Sequence, residues 1–321
     1  VAGVLLSDSP SNVVGPGNLV SGNGSRSPGA GVWIDGPGST GNRVIGNRVG
    51  TDVSGEFALP NQPVGILVNQ ASGNVIGVGS GNLVSGNSSI GVMVAGPNAS
   101  GNLVAGNLIG SDATGSRSVP NGSSVQGAGV YLDDAAGNTI GGASLGLGNL
   151  ISGNGFDGAQ IYGAGSIGNL FQGNAVGTNL AGTGPLGNGE DGLLVNAASG
   201  TQVIGNFFAA NRLDGVTVSG PGSTSTLLRG NVIGRGIGGQ PLGNGTFGIL
   251  LINGAPQPTQ AGNENVHNTL GPLRDTSVAA PTTRTPAAHS KRAPKVSHGQ
   301  PKPSGTTVSR PRPKAKPHVK K

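Results

Sequence analysis

Cysteine is absent, methionine and tryptophan occur once each, and tyrosine occurs twice. Without cysteine there is no disulfide framework and no thiolate metal site. Aromatic residues make up 3% of the 321 residues, too little to fill an ordinary globular core. No apolar run approaches the roughly 18–20 residues of a membrane-spanning helix. Lysine is missing from residues 1–270, which hold seven Arg against twelve Asp or Glu, a balance of −5. A phosphate-binding GK[ST] loop and a Gly-Gly-x-Gly-x-Asp calcium repeat are both missing, so the many Gly-rich turns carry neither chemistry. No signal peptide is visible. Val1 falls inside a repeat, so the N-terminus reads as trimmed.

What the chain has instead is glycine, 64 residues of it, without the Gly-X-Y period of collagen. The glycines punctuate a repeat. A Gly followed by aliphatic, variable and aliphatic residues opens each unit, as in GVWI (31–34), GILV (65–68), GVYL (129–132), GAQI (158–161) and GILL (248–251). Successive openings lie 23 to 38 residues apart, and longer and shorter units alternate after the first interval. Two further short strands follow, as in NRVIGNRVG (42–50) and NLVAGNLIG (102–110). The apolar period is 2, and this much glycine excludes helix interiors.

Three short strands per unit, repeated, describe a chain that winds into coils and stacks them as parallel strands. The expected fold is all-β: a single-stranded parallel β-helix of about nine coils over residues 1–270. The first and third residues after each opening Gly are aliphatic, for example Val32/Ile34, Ile66/Val68 and Val92/Val94, and are expected to face the interior. Asn23, Asn47, Asn87, Asn107, Asn154, Asn174, Asn206 and Asn231 each follow a Gly at a strand end. They read as structural, because a side-chain amide can bond to its counterpart one coil away. The longer units carry insertions at 51–64, 111–128, 178–191 and 235–247, expected to crowd one edge on alternate coils.

The Gly-aliphatic-x-aliphatic strand followed by N-x-aliphatic-x-G-N resembles right-handed parallel β-helix repeats of the pectate-lyase-like superfamily. GNLISGN, GTDVSG and NTIGG are similar to variants found in large secreted or surface-attached bacterial β-helix proteins. The resemblance covers about residues 1–270. It implies an extracellular or cell-surface location and either a structural or adhesive module, with carbohydrate binding as one role, or a polysaccharide lyase, epimerase or hydrolase.

Several residues are candidates for chemistry. Asp157, Asp191 and Asp214 precede the opening Gly in three consecutive units, and stacking places them about 5 Å apart. Carboxylates that close raise one another's pKa or hold a cation, for which Ca²⁺ is the hard-ligand choice; equally, Asp-Gly is a favourable turn dipeptide with solvated carboxylates. Trp33, Asp35, Tyr131, Asp133 and Tyr162 fall on the outward face of the first strand, where rings beside carboxylates suit sugars; cover by insertions or another chain is the other reading. As catalytic groups, Asp133/Asp157 or Asp157/Asp191 are possible carboxylate pairs, with Arg212 near the acidic end. His267 is the one His of the body and reads as structural.

Residues 271–321 differ in kind. They hold twelve Lys or Arg, one acid (Asp275) and nine Pro, a balance of +11. This tail is expected to be disordered, and either to hold an anionic polymer with salt-sensitive affinity or to act as a solvated linker. It has no aromatics to stack on bases, so specific nucleic-acid binding is not expected.

Overall fold

The computed structural model describes residues 2–24 and 29–277. Its strands form three parallel sheets of ten, nine and nine strands, and the chain visits one strand of each in turn. Nine full coils result, with a tenth strand closing the first sheet. That last strand, Gly271–Asp275, pairs in parallel with Phe247–Ile252, so strand pairing runs five residues beyond the point where the aliphatic period ends. The strongly basic segment 278–321 lies outside the described residues.

The first sheet carries the longest strands. On consecutive rungs they include Ala30–Asp35, Val64–Asn69, Ile90–Ala95, Ala128–Asp133 and Asp157–Tyr162. Register is kept throughout: Ile34 pairs with Val68 and Val68 with Val94. All three side chains are fully shielded from solvent, in a lumen shared with residues of the other two sheets such as Ile76, Val84 and Val104. A coil of this size cannot bury such residues alone, so stacking on the neighbouring rung is the main stabilising term. Volume is traded within a rung. Where the first sheet supplies small Ala159, the second supplies Phe171, whose ring stacks on Phe208 of the next rung at 6.0 Å.

The opening glycine has a steric cause. A Cβ on Gly65 would stand 2.7 Å from the amide nitrogen of Asn87 and 2.7 Å from the carbonyl oxygen of Gly91 on the next rung. Both contacts are far inside van der Waals range, so the position admits no side chain. The Asn87 amide belongs to a ladder that the sequence reveals only in part.

The recurrent asparagines form three ladders, each amide bonding to its counterpart one coil away. One runs Asn12, Asn42, Asn74, Asn102, Asn138, Asn169. A second runs from Asn18 through Asn47, Asn82, Asn107, Asn149, Asn174, Asn206 and Asn231 to Asn263. A third runs from Asn23 through Asn61, Asn87, Asn121, Asn154, Asn188, Asn211 and Asn244 to Asn268. The Asn107 side chain is typical. Its Nδ2 donates to the carbonyls of Ile76 and Ala105 and to Oδ1 of Asn149, while its Oδ1 accepts from the backbone and side-chain nitrogens of Asn82. Buried amides of this kind satisfy backbone groups at the corners, where the strand ladder is interrupted.

The insertions stack on one another across the intervening short coil. Ala113 N donates to Gly55 O, Leu180 N to Gly115 O and Ile237 N to Gly182 O. Within the first three, an Asx turn closes the loop: Asp52 Oδ1 accepts from the backbone nitrogens of Gly55, Glu56 and Phe57, Asp112 Oδ1 from those of Ser116 and Arg117, and Asn179 Oδ1 from those of Thr183 and Gly184.

Candidate functional site

The outward face of the first sheet gathers most of the residues singled out above. Register places Asp35, Asn69, Ala95, Asp133, Tyr162 and Asn196 in one column, and Trp33, Leu67, Met93, Tyr131, Gln160 and Leu194 in the column beside it. Trp33, Tyr131 and Tyr162 are the only Trp and Tyr residues in the chain, so every one of them projects from this face. Tyr131 and Tyr162 stack with ring centroids 6.3 Å apart. Asn69 Nδ2 donates to Asp35 Oδ1 at 2.7 Å, bridging two rungs. The indole Nε1–H of Trp33 is shielded from solvent and meets no acceptor among the described residues.

The second column is not an open stripe. Leu67, Met93, Tyr131, Leu194, Thr217 and Leu250 are at most 4% exposed. The reason lies partly in a second apolar cluster outside the lumen, in which Leu67, Met93 and Tyr131 pack against Ala30, Val64, Ile90 and Ala128, with Trp33 and Tyr162 at its margin. Trp33 and Tyr162 are half-buried, and Leu5 on the first rung is 54% exposed.

The acidic column is also unlike its sequence expectation. Asp157, Asp191 and Asp214 are on successive rungs, but they are fully buried rather than solvated. Asp191 N donates to Asp157 Oδ1 at 2.9 Å, Asp214 N to Asp191 Oδ1 at 3.0 Å, and Phe247 N to Asp214 Oδ1 at 2.8 Å. Each carboxyl therefore serves as the acceptor for the next rung's backbone. Gln160 Nε2 donates to the other oxygen of Asp157 at 2.7 Å, and the Thr246 hydroxyl to Asp214. Burial, reinforced by the neighbouring Asp191 charge, pushes Asp157 well above the usual carboxylate range. Burial together with the Asp214 charge raises Asp191 to about 7.

This column does not fit calcium. The cation takes six or more oxygens, whereas these carboxyls each commit an oxygen to a backbone N–H. Among the described residues no group of three or more His, Cys, Asp or Glu is placed to hold a metal ion.

The pairs named as catalytic separate clearly. Asp133 ends its strand and pairs with Tyr162, whereas Asp157 begins the next strand and pairs with Ala128. Five strand positions lie between them, roughly 16 Å of extended chain, outside the span in which two carboxyls flank a glycosidic bond. Asp157 and Asp191 are adjacent. Arg212 lies near them on the outside, 3.9 Å from Glu190, which is itself buried and went unnoticed in the sequence. Arg229 sits exposed on the second sheet, and His267 is exposed in a corner with φ 60°. A separate open cleft of about 270 Å³ lies between the second and third sheets, lined by Arg48, Asn82, Leu83 and Leu108; it gathers no carboxylate.

No family model and no curated protein matches the chain. Solved structures do. The chain is similar to the periplasmic alginate epimerase AlgG, with TM-score 0.49 and 16% identity over 84% of this chain and 50% of that one. It is similar to the A-module of the Azotobacter vinelandii mannuronan C-5 epimerase AlgE4, with TM-score 0.47 and 16% identity over 85% and 73% of the two chains. An alginate lyase from Paenibacillus sp. str. FPU-7 gives TM-score 0.42 and 14% identity over 87% and 91%. The chain thus spans half the length of the first of these. At such identities and TM-scores the likeness goes no further than the fold that the three parallel sheets already show, a parallel β-helix.

Proposed function

We propose that this β-helix is a secreted or cell-surface module that recognises polysaccharide along the outward face of its first sheet. The observation that carries the reading is the placement of half-buried Trp33 and Tyr162 beside half-buried Asp35 and Asn196 on the face that holds every Trp and Tyr of the chain. A sugar offers C–H faces to the rings and hydroxyls to the carboxylates and amides. The face favours neutral or amino sugars over polyuronates. Its outward carboxylates oppose a polyanion, and among the described residues the cations of this sheet and its turns are Arg212 and Arg274.

A glycan array spanning neutral, amino and uronic sugars tests this, read with the full chain and with Trp33→Ala. Binding to neutral or amino glycans is expected, and the substitution should weaken it about tenfold, the equivalent of one lost aromatic contact. Retention of no glycan, or retention indifferent to Trp33→Ala, would overturn the reading.

A second reading is a polysaccharide epimerase, lyase or hydrolase. The observation favouring it is the adjacency of Asp157 and Asp191 on the same sheet, with Asp191 raised to about 7, the range of a general acid. Arg212 stands 3.9 Å from Glu190, the residue before Asp191. Incubation with neutral polysaccharides and polyuronates, with and without Ca²⁺, followed by product analysis, decides it. Turnover abolished by Asp191→Asn supports the enzyme; no altered product from any substrate removes it.

A further inference from the structure

The described arginines differ in what they meet. Arg117, Arg212 and Arg235 lie against Glu56, Glu190 and Glu264, and the Arg274 guanidinium stands 5.5 Å over the Phe247 ring. Arg43, Arg48 and Arg229 form no ion pair among the described residues. Of these three, Arg48 alone lines the open cleft of about 270 Å³. No carboxylate lines it with Arg48. The Asp112 carboxyl, next to the lining residue Ala113, is buried in bonds to Ser116 and Arg117 of its own loop.

Register sets the floor of the cleft. Arg48 pairs with Leu83 and Leu83 with Leu108, so the three stand in one outward column of the third sheet on successive rungs. That spacing puts the two leucines roughly 5 and 10 Å from the arginine position along the rod. Arg48 is exposed, Leu108 is half-buried and Leu83 is nearly covered. Ala113 of the second insertion forms one wall, and Pro16, Ser80 and Gly106, at corners between the second and third sheets, form the other. The insertion of the rung between them holds the first wall in place: a Cβ on Gly55 would lie 2.7 Å from Leu83 Cδ2 and 2.8 Å from Ala113 Cβ. The bordering Asn47 and Asn82 amides are committed to their ladder. Arg48 and the Ser80 hydroxyl are the polar side chains left to face a ligand.

We propose that this cleft binds an alkyl carboxylate, a small anion whose charged end meets Arg48 and whose hydrocarbon lies along Leu83 and Leu108. A guanidinium offers paired N–H groups that match the two oxygens of a carboxylate. One arginine balances one negative charge, which selects a monocarboxylate over a doubly charged phosphate monoester. The order cation, aliphatic, aliphatic along the column fixes the direction in which the ligand lies. A few polar groups over an otherwise apolar floor is the usual plan of a small-molecule site. This site is on the third sheet and stands independently of glycan recognition on the first.

Titration of the full chain with octanoate at low salt, followed by amide NMR shifts, tests the site. Saturable shifts are expected at Arg48, Ser80, Leu83, Leu108 and Ala113. Octanamide lacks the charge and acetate lacks the tail, and each should bind about tenfold more weakly than octanoate. Arg48→Gln should weaken octanoate about tenfold, the equivalent of one charge-assisted contact, and leave octanamide unchanged. Leu108→Ala should weaken octanoate and leave acetate unchanged. Both side chains project outward from the rod, so melting temperatures equal to the parent's separate a lost site from a lost fold. Shifts absent from the cleft throughout the millimolar range, shifts spread over the whole surface, or equal affinity for octanoate and octanamide would each overturn the proposal. So would octanoate binding indifferent to Arg48→Gln. A glycan array that retains nothing removes the first-sheet reading and leaves these outcomes unchanged.

Discussion

The backbone N–H of Asp191 donates to Oδ1 of Asp157 on the rung before it, and Asp214 repeats the contact with Asp191. An acidic side chain here does the work that a main-chain carbonyl does elsewhere in the sheet. The arrangement stores ionisable groups in a dry place, and its consequences are measurable.

Stability should depend on pH through this column. Asp191 titrates near 7 in the folded protein against about 3.8 for an exposed carboxyl. A raised folded-state pKa favours the protonated native form. Its contribution is complete below about pH 4 and is lost as pH rises through 7. Asp191→Asn keeps the acceptor for Asp214 N without the charge. Its stability relative to the parent chain should rise between pH 4.5 and pH 8, by an amount on the order of a few kcal/mol. Thermal melts of both proteins at the two pH values check this; parallel curves would rule it out.

The asparagine ladders should be stability-critical. Asn107→Ala removes acceptors for Asn82 and donors for Ile76, Ala105 and Asn149, leaving several buried groups unpaired. A loss of about 3–5 kcal/mol in urea unfolding is expected. The exposed turn residue Asn98 serves as control, because its Ala variant should stay within about 0.5 kcal/mol of the parent.

Glycines of equal frequency should differ in worth. Gly65→Ala drives a methyl group into Asn87 and the Gly91 carbonyl and is expected to prevent correct stacking of that rung. Gly73 has φ 66° with open space around its missing Cβ. Its Ala variant carries only local backbone strain, about 1–2 kcal/mol. Melting temperatures of the two variants distinguish a close approach from a turn.

The Phe171–Phe208 stack should be the firmest part of the lumen. Phe171→Ala removes a fully buried ring beside small Ala159, with little nearby bulk to refill the space. A loss of about 3–5 kcal/mol is expected by denaturant titration. A smaller loss would mean that the lumen collapses around the cavity.

The rungs were legible in the sequence because Gly-Val-Trp-Ile and its relatives mark both the inward aliphatics and the glycine that the next rung demands. Ile34, Val68 and Val94 are indeed successive neighbours in the lumen. The third ladder was only half legible. Asn61, Asn121 and Asn188 lie inside insertions, two of them after Pro rather than Gly, and only their common spacing of 14 residues from Asn47, Asn107 and Asn174 marks them. The burial of Asp157 was not legible at all. An Asp-Gly pair looks the same in a solvated turn and beneath a neighbouring rung, and only the bond to Asp191 N separates them. Glu190 escaped notice for a similar reason, since it is the last residue but one of a polar insertion.

The insertions touch only every second rung, Gly55 meeting Ala113 and Gly115 meeting Leu180 across a short coil between. A lineage of such proteins therefore cannot lengthen by a single coil without setting a long loop against a bare corner. The unit by which this rod can be extended is the long-short couple, so changes in its length should be tolerated in even numbers of coils.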